Sequence, residues 1–274
     1  MFAAIIIGLL SVQISHWMDK KKMTIKLPSA LLPNVAAPFQ AMMPLVVNVI
    51  FWMCLNSASQ AWLHAGLTDL IFKIFEPILH VGASLPAMMF LCELALIFWF
   101  FGIHGNNMIG AVITPIITAN IAQNMQQYAA GNPVTNIFAN NFHFIFGEAV
   151  VYCAILWSML IFAKSAKLKA LSRFSLPANL FNINEPQVFG IPTVMNLFTF
   201  IPSFICLLIN LPIAYYASKL GLMNKTVLSL PWTMPAPLYA IISTLDWRAG
   251  VVWFIEFFID LAIIAPFMKM YDKQ

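Results

Sequence analysis

Charge is what this sequence has least of. Its 274 residues include 14 lysines and arginines and 10 aspartates and glutamates, so only 9% are charged. An average soluble domain carries about 25%. So few charges cannot cover the surface of a water-soluble globule this size, which excludes a soluble enzyme, a nucleic-acid module and a disordered chain. Cysteine is also sparse. Cys54, Cys92, Cys153 and Cys206 stand alone in apolar runs, none at CxxC spacing. They read as small buried hydrophobes rather than a disulfide framework or metal site. The 11 glycines form no phosphate-binding loop, and neither GxSxG nor a zinc spacing occurs. We therefore expect no metal and no cofactor, and any phosphoryl group must arrive on another protein.

Apolar residues are abundant, at 61%. They predict an all-α polytopic membrane protein, with about six to eight transmembrane helices, re-entrant hairpins and one interfacial amphipathic helix. Expected spans cover residues 2–18, 39–58, 84–101, 144–163, 197–219 and 247–268. The net charge of +4 is concentrated in two clusters, Lys20, Lys21, Lys22 and Lys26, then Lys164, Lys167, Lys169 and Arg173. Each follows an apolar run, which marks the cytoplasmic side of a membrane and not a nucleic-acid surface. An even number of crossings must then separate the clusters. The segment 108–124, short and carrying Pro115, has to cross, or another segment has to be re-entrant. Residues 19–38 read as a basic and Pro-rich cytoplasmic connection. Asp69, Lys73, Glu76 and His80 fall on one face of the expected interfacial helix at 61–82. Residues 226–243, with three prolines, resemble a re-entrant hairpin.

Polar groups at membrane depth are costly and are candidates for function. Here they are Glu93, His104, Glu148, Glu185, Glu256 and Asp260. Glu185 is the strongest, because Asn182, Asn184 and Pro186 surround it between two apolar runs. A carboxylate among carboxamides offers acceptors and donors together, the mixture that sugar hydroxyls require. His104 follows in GIHGNN, with Asn106 beside it. Trp99 and Trp232 fit either as platforms for sugar rings or as interfacial belt residues. Glu256 and Asp260, four apart, fit either a proton relay or a packed polar helix face.

The stretch LFNINEPQVFGIPTVMN at 180–196 resembles the signature of the membrane component, enzyme II C, of the lactose, cellobiose and diacetylchitobiose family of bacterial sugar phosphotransferase systems. WFFGIHGNN at 99–107, MTIKLPSALLPNVAAPF at 23–39, LPWTMPAPLYAIISTLDWRAG at 230–250 and PFMKMYDKQ at the end are similar to other parts of that family, in the same order. The resemblance implies a multi-pass permease of the bacterial plasma membrane. It would bind a disaccharide near the midplane and present its 6-hydroxyl to a phosphocysteine on a cytoplasmic enzyme II B partner. Glu185 and His104 would act close to that hydroxyl as the catalytic pair. Trp99, Asn106, Asn182, Asn184 and Trp232 would bind the sugar.

Two departures stand out. Family members begin with further spans, so residues 1–60 are expected to be the remnant of a dimer-forming half, and 61–274 the sugar-binding and transport domain. A homodimer is therefore an open expectation. Where the family has a Gly-rich GGxGAT stretch, this chain reads FIFGEAV at 144–150, with Glu148 intruding. Two alternatives stay open: a truncated homologue without transport activity, and an ion-coupled transporter using Glu93, Glu256 and Asp260.

Overall fold

Long apolar runs in a low-dielectric solvent must satisfy their own backbone groups, and the helix does so within one segment. The computed structural model describes residues 2–23, 33–67, 70, 83–191 and 193–273, and their regular secondary structure is all helical. Among the described residues five helices are long and apolar enough to cross a membrane: Gln40–Leu63, Gly105–Ala129, Phe144–Phe162, Leu197–Lys219 and Trp247–Tyr271. The interfacial stripe from Asp69 to His80 and most of the 23–39 connection lie outside the described residues. The chain divides into two compact units, Met1–Leu79 and His80–Gln274.

The first unit contains α1 (Phe2–Lys20) and α2 (Pro33–Leu63). Helix α2 starts within the expected Pro-rich connection, because proline is tolerated in a first helical turn where its missing N–H has no partner anyway. Polar side chains join the two helices. Asn48 Nδ2 donates to Ser15 Oγ at 3.0 Å, and Trp52 Nε1 donates to Ser11 Oγ at 2.8 Å. Such bonds hold helices together where lipid removes the hydrophobic drive.

The second unit opens with α3 (Leu85–Phe100), whose N-cap Ser84 accepts from the Ala87 N–H. A four-residue turn leads to α4 (Gly105–Ala129). This helix is longer than the expected 108–124 segment. Buried Pro115 sits inside it without ending it, as prolines do in membrane helices where neighbours satisfy the freed carbonyl. It is long enough to be the crossing that the two basic clusters require. A π-helical turn at Phe144–Glu148 runs directly into α5 (Ala149–Phe162). Such a turn displaces its carbonyls from the normal ladder, and the Trp253 indole N–H donates to Ile145 O at 3.1 Å.

Next comes α6 (Ala166–Asn179), capped by Ser165. Leu168, Ser172, Ser175 and Asn179 form its buried stripe, while Lys167, Lys169 and Arg173 are exposed. The second basic cluster is thus the exposed face of an amphipathic helix. The Asp272 carboxylate accepts from the Lys164 and Ser165 N–H groups, and these hydrogen bonds hold it below its ordinary range. After a short α7 (Glu185–Gly190) comes α8 (Leu197–Lys219), then α9 (Ala236–Thr244) and α10 (Trp247–Tyr271). Val227 and Leu228 donate to Ser243 O at 2.7 and 3.1 Å, so residues 226–244 double back as a hairpin. Helices α5, α8 and α10 pack through Leu156, Met159, Cys206, Leu211, Trp253 and Phe257. This block is the frame on which the other segments hang.

Candidate functional site

One cavity of about 360 Å³ opens in the second unit. That volume lies within the usual range for small-molecule sites, about 300–1,000 Å³. Helix α4 supplies a wall from Asn106, Ile109, Gly110, Ile113 and Ile117, spaced so that they share one helical face. Phe144, Glu148 and Tyr152 form a second stripe from the π turn into α5. Asn182, Asn184, Glu185 and Val188 come from the turn before α7 and its first residues. Trp99 and His104 close one side, and Trp232 comes from the 226–244 hairpin.

All seven candidates from the sequence therefore line the same space: Trp99, His104, Asn106, Asn182, Asn184, Glu185 and Trp232. Their side chains are not equally free. The Trp99 and His104 rings lie 4.3 Å apart between centroids. Trp99 Nε1 donates to Asn106 Oδ1 at 3.4 Å, and Asn106 Nδ2 donates to Glu148 Oε2 at 2.8 Å. Trp232 packs edge-on to Phe144 at 6.2 Å and remains 46% exposed. Glu185 and His104 are exposed to the cavity, and neither side chain has a hydrogen-bond partner among the described residues. Both are thus available to a ligand.

The loop carrying Glu185 is pinned from below. Asn179 Nδ2 donates to Asn184 Oδ1 at 2.8 Å, and Gln187 Nε2 donates to Tyr152 O at 3.2 Å. Asn182 adopts a left-handed backbone with φ 61°, which asparagine tolerates better than most residues. Its Nδ2 donates to Trp232 O at 2.6 Å and Met234 O at 2.7 Å. It joins the turn before α7 to the 226–244 hairpin, and only its Oδ1 is left for a ligand. Asn182→Ala is expected to cost about 1–3 kcal/mol, because two backbone carbonyls lose their donor at a buried site. Thermal unfolding in detergent measures that loss, and the emission of Trp232 should shift with it. An unchanged melting point would overturn this joint role.

Sequence reasoning did not place Asn107, Asn141, His143 or Tyr152 in the site, nor assign Glu148 to it, although all line the cavity. The spacing of Phe144, Glu148 and Tyr152 by four was the available signal for that stripe. Glu93, Glu256 and Asp260 do not line the cavity. Glu256 and Asp260 are buried on α10, where Asn210 Nδ2 donates to Asp260 Oδ2 at 2.8 Å. An ion path through these three residues to the cavity is not favoured by that placement. Among the described residues no group of three or more His, Cys, Asp or Glu side chains is arranged to hold a metal.

Residues 1–206 match the family described as "Phosphotransferase system, EIIC". The chain is 30% identical over 279 residues to the PTS system oligo-beta-mannoside-specific EIIC component of Bacillus subtilis (strain 168), covering 100% of this chain and 63% of that protein. It is 31% identical over 278 residues to the PTS system lactose-specific EIICB component of Lacticaseibacillus casei, covering 100% of this chain and 48% of that protein. Among solved structures it is similar to the transporter ChbC, the IIC component from the N,N'-diacetylchitobiose-specific phosphotransferase system. The TM-score is 0.88 at 29% identity, over 100% of this chain and 65% of the other. The chain thus spans between about half and two thirds of the length of these relatives.

Proposed function

The chain belongs to the phosphotransferase system EIIC family, and on that premise we propose that it is the membrane permease component for a disaccharide, which it holds in the cavity for phosphorylation. The observation that carries the reading is the convergence of seven residues from separate segments on one cavity sized for a small sugar. Carboxamides and a carboxylate match hydroxyls that both donate and accept. Two indole rings offer flat apolar faces to pyranose C–H groups. Relatives named for lactose, oligo-beta-mannoside and N,N'-diacetylchitobiose support a disaccharide.

In the proposed reaction the sugar 6-hydroxyl oxygen attacks the phosphorus of a phosphocysteine on the enzyme II B partner. The new O–P bond forms as the S–P bond breaks, and the thiolate leaves. Glu185 accepts the hydroxyl proton, and His104 orients that hydroxyl. The dianionic product cannot return through the bilayer, so phosphorylation also traps the sugar. We read residues 1–60 as part of a dimer-forming half and residues 61–274 as the transport half. The apolar exposure of Leu45, Val49, Ile50 and Met53 on α2 supports a surface for lipid or a second copy.

Membrane vesicles containing the chain and a phosphorylated enzyme II B donor test the reading. Sugar phosphate is expected inside the vesicle only when the donor is present. Equal accumulation of free disaccharide without a donor would overturn it.

A further inference from the structure

The cavity holds more carboxyl groups than proton acceptance alone explains. Two line it, Glu148 and Glu185, and among the described residues no lysine or arginine does. Glu185 is exposed to the cavity on the α7 turn, whereas Glu148 is only 7% exposed and projects from the π turn. The Oε2 of Glu148 accepts from the neutral Asn106 amide. Its Oε1 has no donor among the described residues, yet it is not sealed off from the cavity. A buried carboxylate with a single neutral hydrogen bond is poorly compensated. Its geometry is nevertheless fixed, because the Trp99 indole holds the other end of the Asn106 amide.

Resting on the permease reading above, we propose that the cavity selects disaccharides that carry a protonated amine, with Glu148 as the acceptor of the ammonium. An ammonium beside the buried carboxyl group stabilises its charged form and gains a charge-assisted hydrogen bond in a low-dielectric space. A hydroxyl at the same position gains only a weaker neutral-donor bond. The two carboxylates then have separate tasks. Glu185 receives the proton of the attacking hydroxyl, and Glu148 fixes the amine on another part of the sugar.

Three β-1,4-linked disaccharides with the same backbone make the test. The glucosamine disaccharide carries amines at C2, cellobiose carries hydroxyls, and N,N'-diacetylchitobiose carries acetamides. Each is titrated against the purified full chain in detergent at neutral pH, following tryptophan emission. The amine form is expected to bind roughly tenfold or more tighter than cellobiose, the scale of one charge-assisted hydrogen bond. In Glu148→Gln that ratio is expected to fall towards one, whatever happens to the absolute affinities. In Glu185→Gln the preference should persist. A wild-type protein that binds cellobiose as tightly as the amine form overturns the inference and leaves the permease reading standing. So does a preference that survives in Glu148→Gln. A folded sample that binds none of the three overturns both.

Discussion

Glu185→Gln is expected to lower the rate of sugar phosphorylation by roughly two to four orders of magnitude, the usual contribution of a positioned general base. Glutamine keeps the shape of the side chain and its carbonyl oxygen, but it cannot take up the proton of the attacking hydroxyl. The site makes this substitution unusually clean. Glu185 is exposed and its carboxylate has no hydrogen-bond partner among the described residues, so no buried donor is orphaned by the change. The turn beneath it is held by Asn179, Asn184 and Gln187, not by Glu185 itself. The variant should therefore fold and bind sugar while turning over slowly. Phosphorylation assayed with an enzyme II B donor, alongside sugar binding by tryptophan emission, separates those outcomes. Normal turnover in the variant would remove Glu185 from the chemistry.

A methyl group at Gly105 is expected to do comparable harm by a different route. A Cβ built there lies 1.9 Å from Ala95 O and 2.6 Å from Ala95 C. Both are backbone atoms of α3, so no side-chain rotation relieves the clash. Either α4 must shift away from α3 at its first turn or the pair cannot form. Overpacking of this kind usually costs about 1–3 kcal/mol, and more when backbone must move. His104 and Asn106 flank the glycine and both line the cavity, so the displacement reaches the site directly. Gly105→Ala should lower the unfolding temperature in detergent and weaken disaccharide binding by at least roughly tenfold. Gly8→Ala is the comparator, because a Cβ there meets nothing within 4 Å. A Gly105→Ala protein as stable as Gly8→Ala would mean that the close approach of α3 and α4 is not required.

The fold class was readable because lipid imposes a coarse rule: long apolar runs become helices. The candidate residues were readable because polar side chains are rare in such a sequence, so Glu185 and His104 stood out against it. Length was harder. The segment carrying Pro115 was expected over 108–124, yet α4 covers Gly105–Ala129, since the neighbours that tolerate a proline are not visible in a linear sequence. The helix at 166–179 was not assigned from the sequence, because its buried stripe is made of serines and an asparagine as well as leucine. Asn182 illustrates a further limit. Its amide could be foreseen in the site, but not its engagement with Trp232 O and Met234 O, about fifty residues further along the chain. Glu148 was visible as a misplaced charge, but only the pairing with Asn106 put it inside the cavity.

The π turn at Phe144–Glu148 acts as an angular offset within the membrane. One residue advances an α-helix by about 100°, and a π turn accommodates one more residue than an α-helix does over the same rise. The loop residues that precede it are thereby rotated around the axis relative to the stripe that continues into α5. Phe144 can face Trp232 while the same rod, a few residues on, presents its other side to α8 and α10. The stripe of Phe144, Glu148 and Tyr152 thus keeps one side of the rod on the cavity across the change of pitch, while Ile145 and Gly147 meet α10 and α8 on another.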